Sequence, residues 1–323
     1  MRLGVVLESF LDRSLDDALA VLEKGAPQVT DLEIGAGGFA PTPHCDVKLL
    51  LRDAGARRRW LDRLAERGFR LSAINVSGNP LDPAEETARR HDNELRNAVR
   101  LAAVLEVDRV VAMAGCPPGA PGDRTAHFDA GGWLPYLARV YERQWQEALL
   151  PYWTELAGWA LREHPGLMIC VELHPGTSVY NVETFERFAA ISENLAANLD
   201  PSHLFWQRMD PLAVTRRVSR IGHAHAKDLV FNERDLALNG LLDDRWSPTD
   251  PSASWTFATV GRGHDRDWWR AFLAVLAERG VESISIEHED PTMSAEHGVA
   301  DAAGRLTDAL AAILPVGAAG AAR

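Results

Sequence analysis

"IGHAHAKD", residues 221–228, places two histidines, a lysine and an aspartate within eight positions, straight after a segment with helical periodicity. Side chains alternate across an extended strand, so His223, His225 and Lys227 share one face while Gly222, Ala224 and Ala226 share the other. If the histidine face points into a barrel, His223 lies a layer down, His225 at the rim and Lys227 above it. The same residues could instead form a nucleic-acid patch or a plain polar strand end, and the rest of the chain decides between them.

Seven further apolar runs accompany this one: 3–9 "LGVVLES", 29–35 "VTDLEIG", 70–77 "RLSAINVS", 108–115 "DRVVAMAG", 167–173 "LMICVEL", 195–200 "LAANLD" and 283–289 "SISIEHE". Helical patterns lie between them. Over 14–24, Ser14 can cap, Leu15, Leu19 and Leu22 make one stripe, and Gly25 can close the end. Over 265–279, Asp265 stands at the start, Trp268, Phe272 and Leu276 share a face, and Gly280 follows. Strands alternating with helices imply parallel pairing, since parallel neighbours need a crossover. Eight such units predict a (β/α)8 TIM barrel, typically about 250 residues long. A doubly wound sheet is the alternative, although "GVVLES" lacks the glycine-rich turn that would favour it.

The chain is longer than that, with 323 residues, and the surplus sits in insertions after strands four and seven, residues 117–135 and 229–260. Both would rise from the C-terminal face of a barrel and wall or roof the site there. The expected organisation is a single domain over 1–315 with a loose Ala/Gly-rich tail at 316–323.

Net charge is −12, from 46 acidic and 34 basic side chains, so the surface field should repel a nucleic-acid backbone. Cys45, Cys116 and Cys170 have no paired spacing and suit a reducing compartment. No apolar stretch reaches the roughly 18 residues of a membrane helix, and the opening "MRLGVVLESF" lacks a signal-peptide pattern. A cytoplasmic protein without a membrane partner is expected.

Four consecutive strands finish on a residue able to bind a metal: Glu172, Asp200, His225 and Glu287. They are 28, 25 and 62 positions apart, yet barrel strand ends converge on the axis and would bring them together. One carboxylate at a strand end is commonly a cap or a solvated residue, but a set of four at the tops of apolar strands would be costly without a cation. Three carboxylates and one imidazole suit Mn²⁺ or Mg²⁺ better than a thiolate-selected metal, with Zn²⁺ and Co²⁺ still open. A divalent ion with open positions binds vicinal substrate oxygens, polarises a carbonyl and stabilises an enediolate.

At these residues the sequence resembles the xylose-isomerase-like TIM-barrel superfamily of sugar and sugar-phosphate isomerases and epimerases, which includes inosose dehydratases and AP endonucleases. The likeness covers nearly the whole chain and is carried by "VELHPGTSVYN" (171–181), "NLDPSHLFWQ" (198–207), "HAHAKD" (223–228), "TVGRGHD" (259–265) and "SIEHED" (285–290). It implies that Glu172, Asp200, His225 and Glu287 are the metal ligands and that Glu172 and Glu287 are the acid/base pair. It further implies that His203 contacts substrate and metal-bound water and that Lys227 binds substrate. Ketose 3-epimerases carry an arginine six residues beyond the ligand histidine, where this chain has Phe231. The insertions and the "DPSHLFW" style also resemble the large subunit of C-glycoside deglycosidases, which act on 3-oxo-glucosides with a small partner subunit.

The resemblance thus implies a divalent-metal-dependent sugar isomerase or epimerase, forming a homo-oligomer as family members commonly do. The alternative is a lyase on an oxo-sugar, either an inosose dehydratase or a deglycosidase large subunit. A barrel that only binds sugar is a further reading. AP endonuclease activity fits poorly, because such relatives use more histidines and a basic DNA-binding surface. No phosphate-cradling motif is visible. Among weaker candidates, Asn75 and Asn79 could bind sugar hydroxyls at the barrel mouth or simply build a turn, and His174 shares the face of Glu172. Glu8 and Glu33 end strands one and two as hydrogen-bond acceptors or substrate contacts. Gly261 and Gly263 suit a close backbone approach, and Arg262 and His264 could meet a substrate. The aromatic stretches "RQWQEALLPYW" and "LFWQ" read best as core packing, with an oligomer contact or sugar wall as alternatives.

Overall fold

The computed structural model of the protein describes residues 1–128, 134–242 and 253–313. The expected tail and the domain boundary at 315 lie outside them, as do parts of both insertions. The strands are β1 (Arg2–Val6), β2 (Val29–Gly35), β3 (Arg70–Asn75), β4 (Arg109–Ala112), β5 (Met168–Glu172), β6 (Leu195–Leu199), β7 (Ile221–Ala226), β8 (Asp228–Phe231), β9 (Trp255–Ala258) and β10 (Ser283–Ile286). Seven of them close with β10 into an all-parallel barrel of order β1-β10-β7-β6-β5-β4-β3-β2, and β8 pairs with β9 outside it. Because β1 is hydrogen-bonded to both β2 and β10, the sheet has no edge and the doubly wound alternative falls.

The helices start and stop where the side chains dictate. Ser14 accepts from Asp17 N to open Leu15–Gly25, and Asp265 accepts from Trp268 N to open Arg266–Glu278. Each presents its apolar stripe to the barrel, burying Leu15, Leu19 and Leu22 in one case and Trp269, Phe272, Leu273 and Leu276 in the other. Trp268 is only partly buried and packs against this core from the flank. Trp145 and Trp153 are fully buried, and Trp153 Nε1 donates to Ala114 O, so this part of the aromatic stretch is core packing. A small inner cluster of Ala73, Val111, Cys170 and Ala196 packs apart from the main core. Cys170 shares the inward face of Glu172, so these short side chains lie beneath the functional layer. All three cysteines are free and buried.

The insertion after β7 holds ordered structure that its turn-rich sequence hides. β8 runs antiparallel to β9, with Leu229 opposite Phe257, and a short helix, Glu233–Asn239, follows β8. The hairpin is pinned at Asp228, whose fully buried carboxylate accepts from the backbone N–H groups of Gly261, Gly263 and His264 at 3.0, 3.1 and 3.0 Å and from His264 Nδ1 at 2.7 Å. Asp290 adds a second tie, accepting from Thr259 N and Oγ1 at 2.9 Å.

Candidate metal centre and active site

Glu172 closes β5, Asp200 follows β6, His225 lies in β7 and Glu287 follows β10, so four neighbouring strands each deliver one candidate ligand. Their donor atoms lie within 4.8 Å of one another. His225 Nδ1 is 3.1 Å from Glu172 Oε1 and 3.2 Å from Glu287 Oε2. Asp200 Oδ1 accepts from Ser202 N at 2.8 Å, leaving Oδ2 toward the cluster. Asp200 Oδ2 and Glu287 Oε2 are buried and make no hydrogen bond of good geometry among the described residues, their near neighbours being His203 Nε2 at 3.3 Å for the first and Lys227 Nζ and His225 Nδ1 at 3.2 Å for the second. Buried, converging carboxylate oxygens beside one imidazole fit a hard divalent cation.

The electrostatics point the same way. Burial, reinforced by the charges of Glu287 and Glu172, pushes Asp200 up to about 7: a third carboxylate cannot ionise cheaply here without added positive charge. Burial also acts to raise Glu287, but Lys227 and His225 outweigh it and lower the carboxyl to about 2. For Glu172 the opposition of burial is overcome by hydrogen bonds from His203 and His225, which hold it well below the usual carboxylate range.

His225 is oriented from behind. Its Nε2 lies 3.1 Å from both oxygens of Glu33, which is fully buried at the level of β2. Glu33 Oε2 also pairs with His223 Nε2 at 2.8 Å, and Oε1 accepts from Asn75 Nδ2 at 2.8 Å. Glu33 is therefore a structural acceptor, and what it supports is His225, the candidate ligand. A carboxylate bonded to one ring nitrogen fixes the tautomer that leaves the other free to bind a cation. Glu33→Gln is expected to weaken Mn²⁺ affinity by about 10–100-fold with the fold retained. Competition titration against a chelator checks this; affinity within twofold of the parent would remove Glu33 from the metal's support.

Two of the four candidate ligands, Glu172 and Glu287, line a cavity of about 360 Å³ together with His174, His203, Lys227 and Phe257. His203 Nε2 is 3.5 Å from Glu172 Oε2 and 3.3 Å from Asp200 Oδ2, and its ring packs on that of His174 at 4.0 Å between centroids. Lys227 Nζ stands 3.2 Å from Glu287 Oε2. The expected stacking of His223 below His225 and Lys227 above holds: His223 bonds downward to Glu33 and Ser285, and Lys227 enters the cavity.

Other candidates are placed elsewhere. Asn79 is a correction: it does not line the cavity, because its Nδ2 donates to Cys116 O at 2.9 Å and its Oδ1 accepts from Cys116 N and Leu81 N, tying the loops after β3 and β4 together. Arg262 pairs with Asp301 at 3.6 Å, and His264 is held by Asp228 and stacked on Phe205 at 3.6 Å, so neither faces the cavity. Glu8 does line it; burial and then the charges of Glu287 and Glu33 push its carboxyl up to about 8. Phe257 and Glu289 were not singled out from the sequence. Glu289 could have been, since it alternates with Glu287 as Lys227 does with His225.

A closed parallel barrel with a buried carboxylate–imidazole cluster at its C-terminal strand ends places the chain among the TIM-barrel proteins. The chain belongs to the xylose isomerase-like TIM barrel family, whose model matches residues 32–309. It is 35% identical over 305 residues to the uncharacterized protein YfiH of Bacillus subtilis (strain 168), covering 93% of this chain and 96% of that protein. Among solved structures it resembles the probable 3-DHS dehydratase AsbF of Bacillus anthracis, at TM-score 0.66 and 14% identity over 95% of this chain and 99% of that one. The IOLI protein with a bound zinc atom gives 0.61 and 18%, over 97% and 99%. An L-ribulose 3-epimerase gives 0.59 and 15%, over 99% of each chain. At these identities the likeness is one of fold. No described helix is long and apolar enough to cross a membrane.

Proposed function

We propose that the protein is a divalent-metal-dependent sugar isomerase or epimerase that works by removing a proton next to a carbonyl, with Mn²⁺ as its metal. The observation that carries this reading is the convergence of Glu172, Asp200, His225 and Glu287 at one end of a cavity that Lys227 and His203 also enter. When bound, the divalent ion supplies the Lewis acidity that polarises a carbonyl. Glu172 and Glu287 hold and move the proton, each with a carboxylate that stays charged at neutral pH. His203 and Lys227 orient substrate oxygens, and the buried floor of Glu33 and His223 keeps His225 in place.

A specific observation favours a second reading, a lyase on an oxo-sugar. Glu8, pushed up to about 8, keeps its proton at neutral pH and could protonate a leaving oxygen in the same cavity. The two readings separate in one experiment: incubate the Mn²⁺-loaded protein in D₂O with ketoses, ketose phosphates, inososes and 3-oxo-glucosides, and follow carbon-bound protons by NMR. Deuterium in an epimer or isomer is the expected result, and an elimination product moves the assignment to a lyase. Metal-loaded protein that exchanges no proton on any of these compounds would remove the isomerase reading.

A further inference from the structure

Lys227 is the only lysine or arginine among the described residues that line the cavity, and its surroundings decide what charge a substrate can carry. The side chain is 4% exposed. Nζ lies 2.5 Å from Glu289 Oε2, 3.2 Å from Glu287 Oε2 and 4.2 Å from the centroid of the Phe257 ring. An ammonium group has three donors, and here two carboxylates and one aromatic face meet them. Of the two carboxylates Glu289 stands at the rim, 48% exposed against 20% for Glu287, so it is the partner nearest to an entering ligand.

The balance of charge adds to this. Glu172, Asp200, Glu287 and Glu289 together outweigh Lys227 and a divalent ion by one negative charge. A phosphate ester would therefore bring a dianion into a negative cavity whose one fixed cation is already neutralised. A neutral hydroxyl or carbonyl meets no such penalty and can share the ammonium.

We infer that the cavity takes uncharged polyhydroxylated carbonyl compounds and rejects their phosphate esters, and that Glu289 sets this preference by occupying the outward side of Lys227. That the compounds are carbonyls rests on the proposed function; the exclusion of anions rests on the placement of Glu287 and Glu289 about Lys227 and on the excess of carboxylates, which a divalent ion lessens and does not cancel.

Methyl phosphate is a suitable probe, titrated calorimetrically into the Mg²⁺-loaded protein and its Glu289→Gln variant. Glutamine keeps the size of the side chain and removes its charge, and a half-exposed rim position leaves folding intact, which thermal melting verifies. The variant is expected to bind methyl phosphate at least about tenfold more tightly than the parent. Adding Lys227→Met to Glu289→Gln is expected to abolish that gain. Affinities within twofold in parent and single variant, or a gain that survives loss of the lysine, would overturn the inference. Because the assay needs no turnover, failure of the isomerase reading leaves it standing, and its own failure leaves that reading untouched.

Discussion

Glu172→Gln and Glu287→Gln are each expected to lose about 10²–10⁴-fold in kcat, the usual contribution of a positioned general acid or base. The two variants should differ in a more informative way. If the glutamates work from opposite faces of the substrate, removing one blocks net inversion while the other still abstracts the proton it faces. Solvent deuterium would then enter one epimer and not the other, with the pattern reversed between the variants. A single-base isomerase would instead lose all exchange in one variant and keep turnover in the other. Both residues are also candidate ligands, so metal content must be measured alongside; the glutamine amide oxygen still offers a donor to the ion. Turnover within tenfold of the parent in both variants, with metal bound, would end the assignment of these roles.

Gly263→Ala is expected to be among the most damaging single-methyl additions. A Cβ there would stand 1.8 Å from Leu229 O and 2.7 Å from Asp228 Oδ1. The first contact is backbone of β8 and the second is the carboxylate pinning the loop, so neither neighbour can move without detaching the hairpin. Overpacking of this kind costs about 1–3 kcal/mol or more, and thermal unfolding reads it as a Tm lower by several degrees. Phe257 rides on β9, so the cavity wall beside Lys227 should loosen together with the fold. Gly304→Ala is the control: nothing lies within 4 Å of a Cβ there, and replacing a mid-helix glycine should stabilise by roughly 0.5–1 kcal/mol. A Gly263→Ala protein as stable as the parent would mean that the loop is not clamped as described.

The barrel was legible because the strands are short, mostly buried apolar runs and several helices carry their own N-cap, among them Ser14, Asp53, Asp265 and Ser294, all local signals. The clustering of Glu172, Asp200, His225 and Glu287 was legible for a related reason: each stands within or at the end of an apolar strand, where polarity needs a cause. What stayed hidden depends on partners far along the chain. The role of Glu33 is set by His223 and His225, 190 and 192 positions away. β8 and β9 are separated by turn-rich sequence, and only the register at Asp228 makes them a pair. Asn79 could be read as a sugar contact or as part of a turn because its amide follows strand three near the barrel mouth, and the loop carrying Cys116 holds that amide.

All four candidate ligands come from the second half of the barrel, β5 to β10, whereas Glu33, Glu8 and Asn75 come from its first half. Chemistry and tuning are thus segregated along the chain. On the proposed function the C-terminal half-barrel contains the reacting centre, and the N-terminal half braces it and shapes what reaches it. Exchanging N-terminal halves between relatives should then change substrate choice and metal affinity by degrees, while exchange of the C-terminal half would replace the reaction itself.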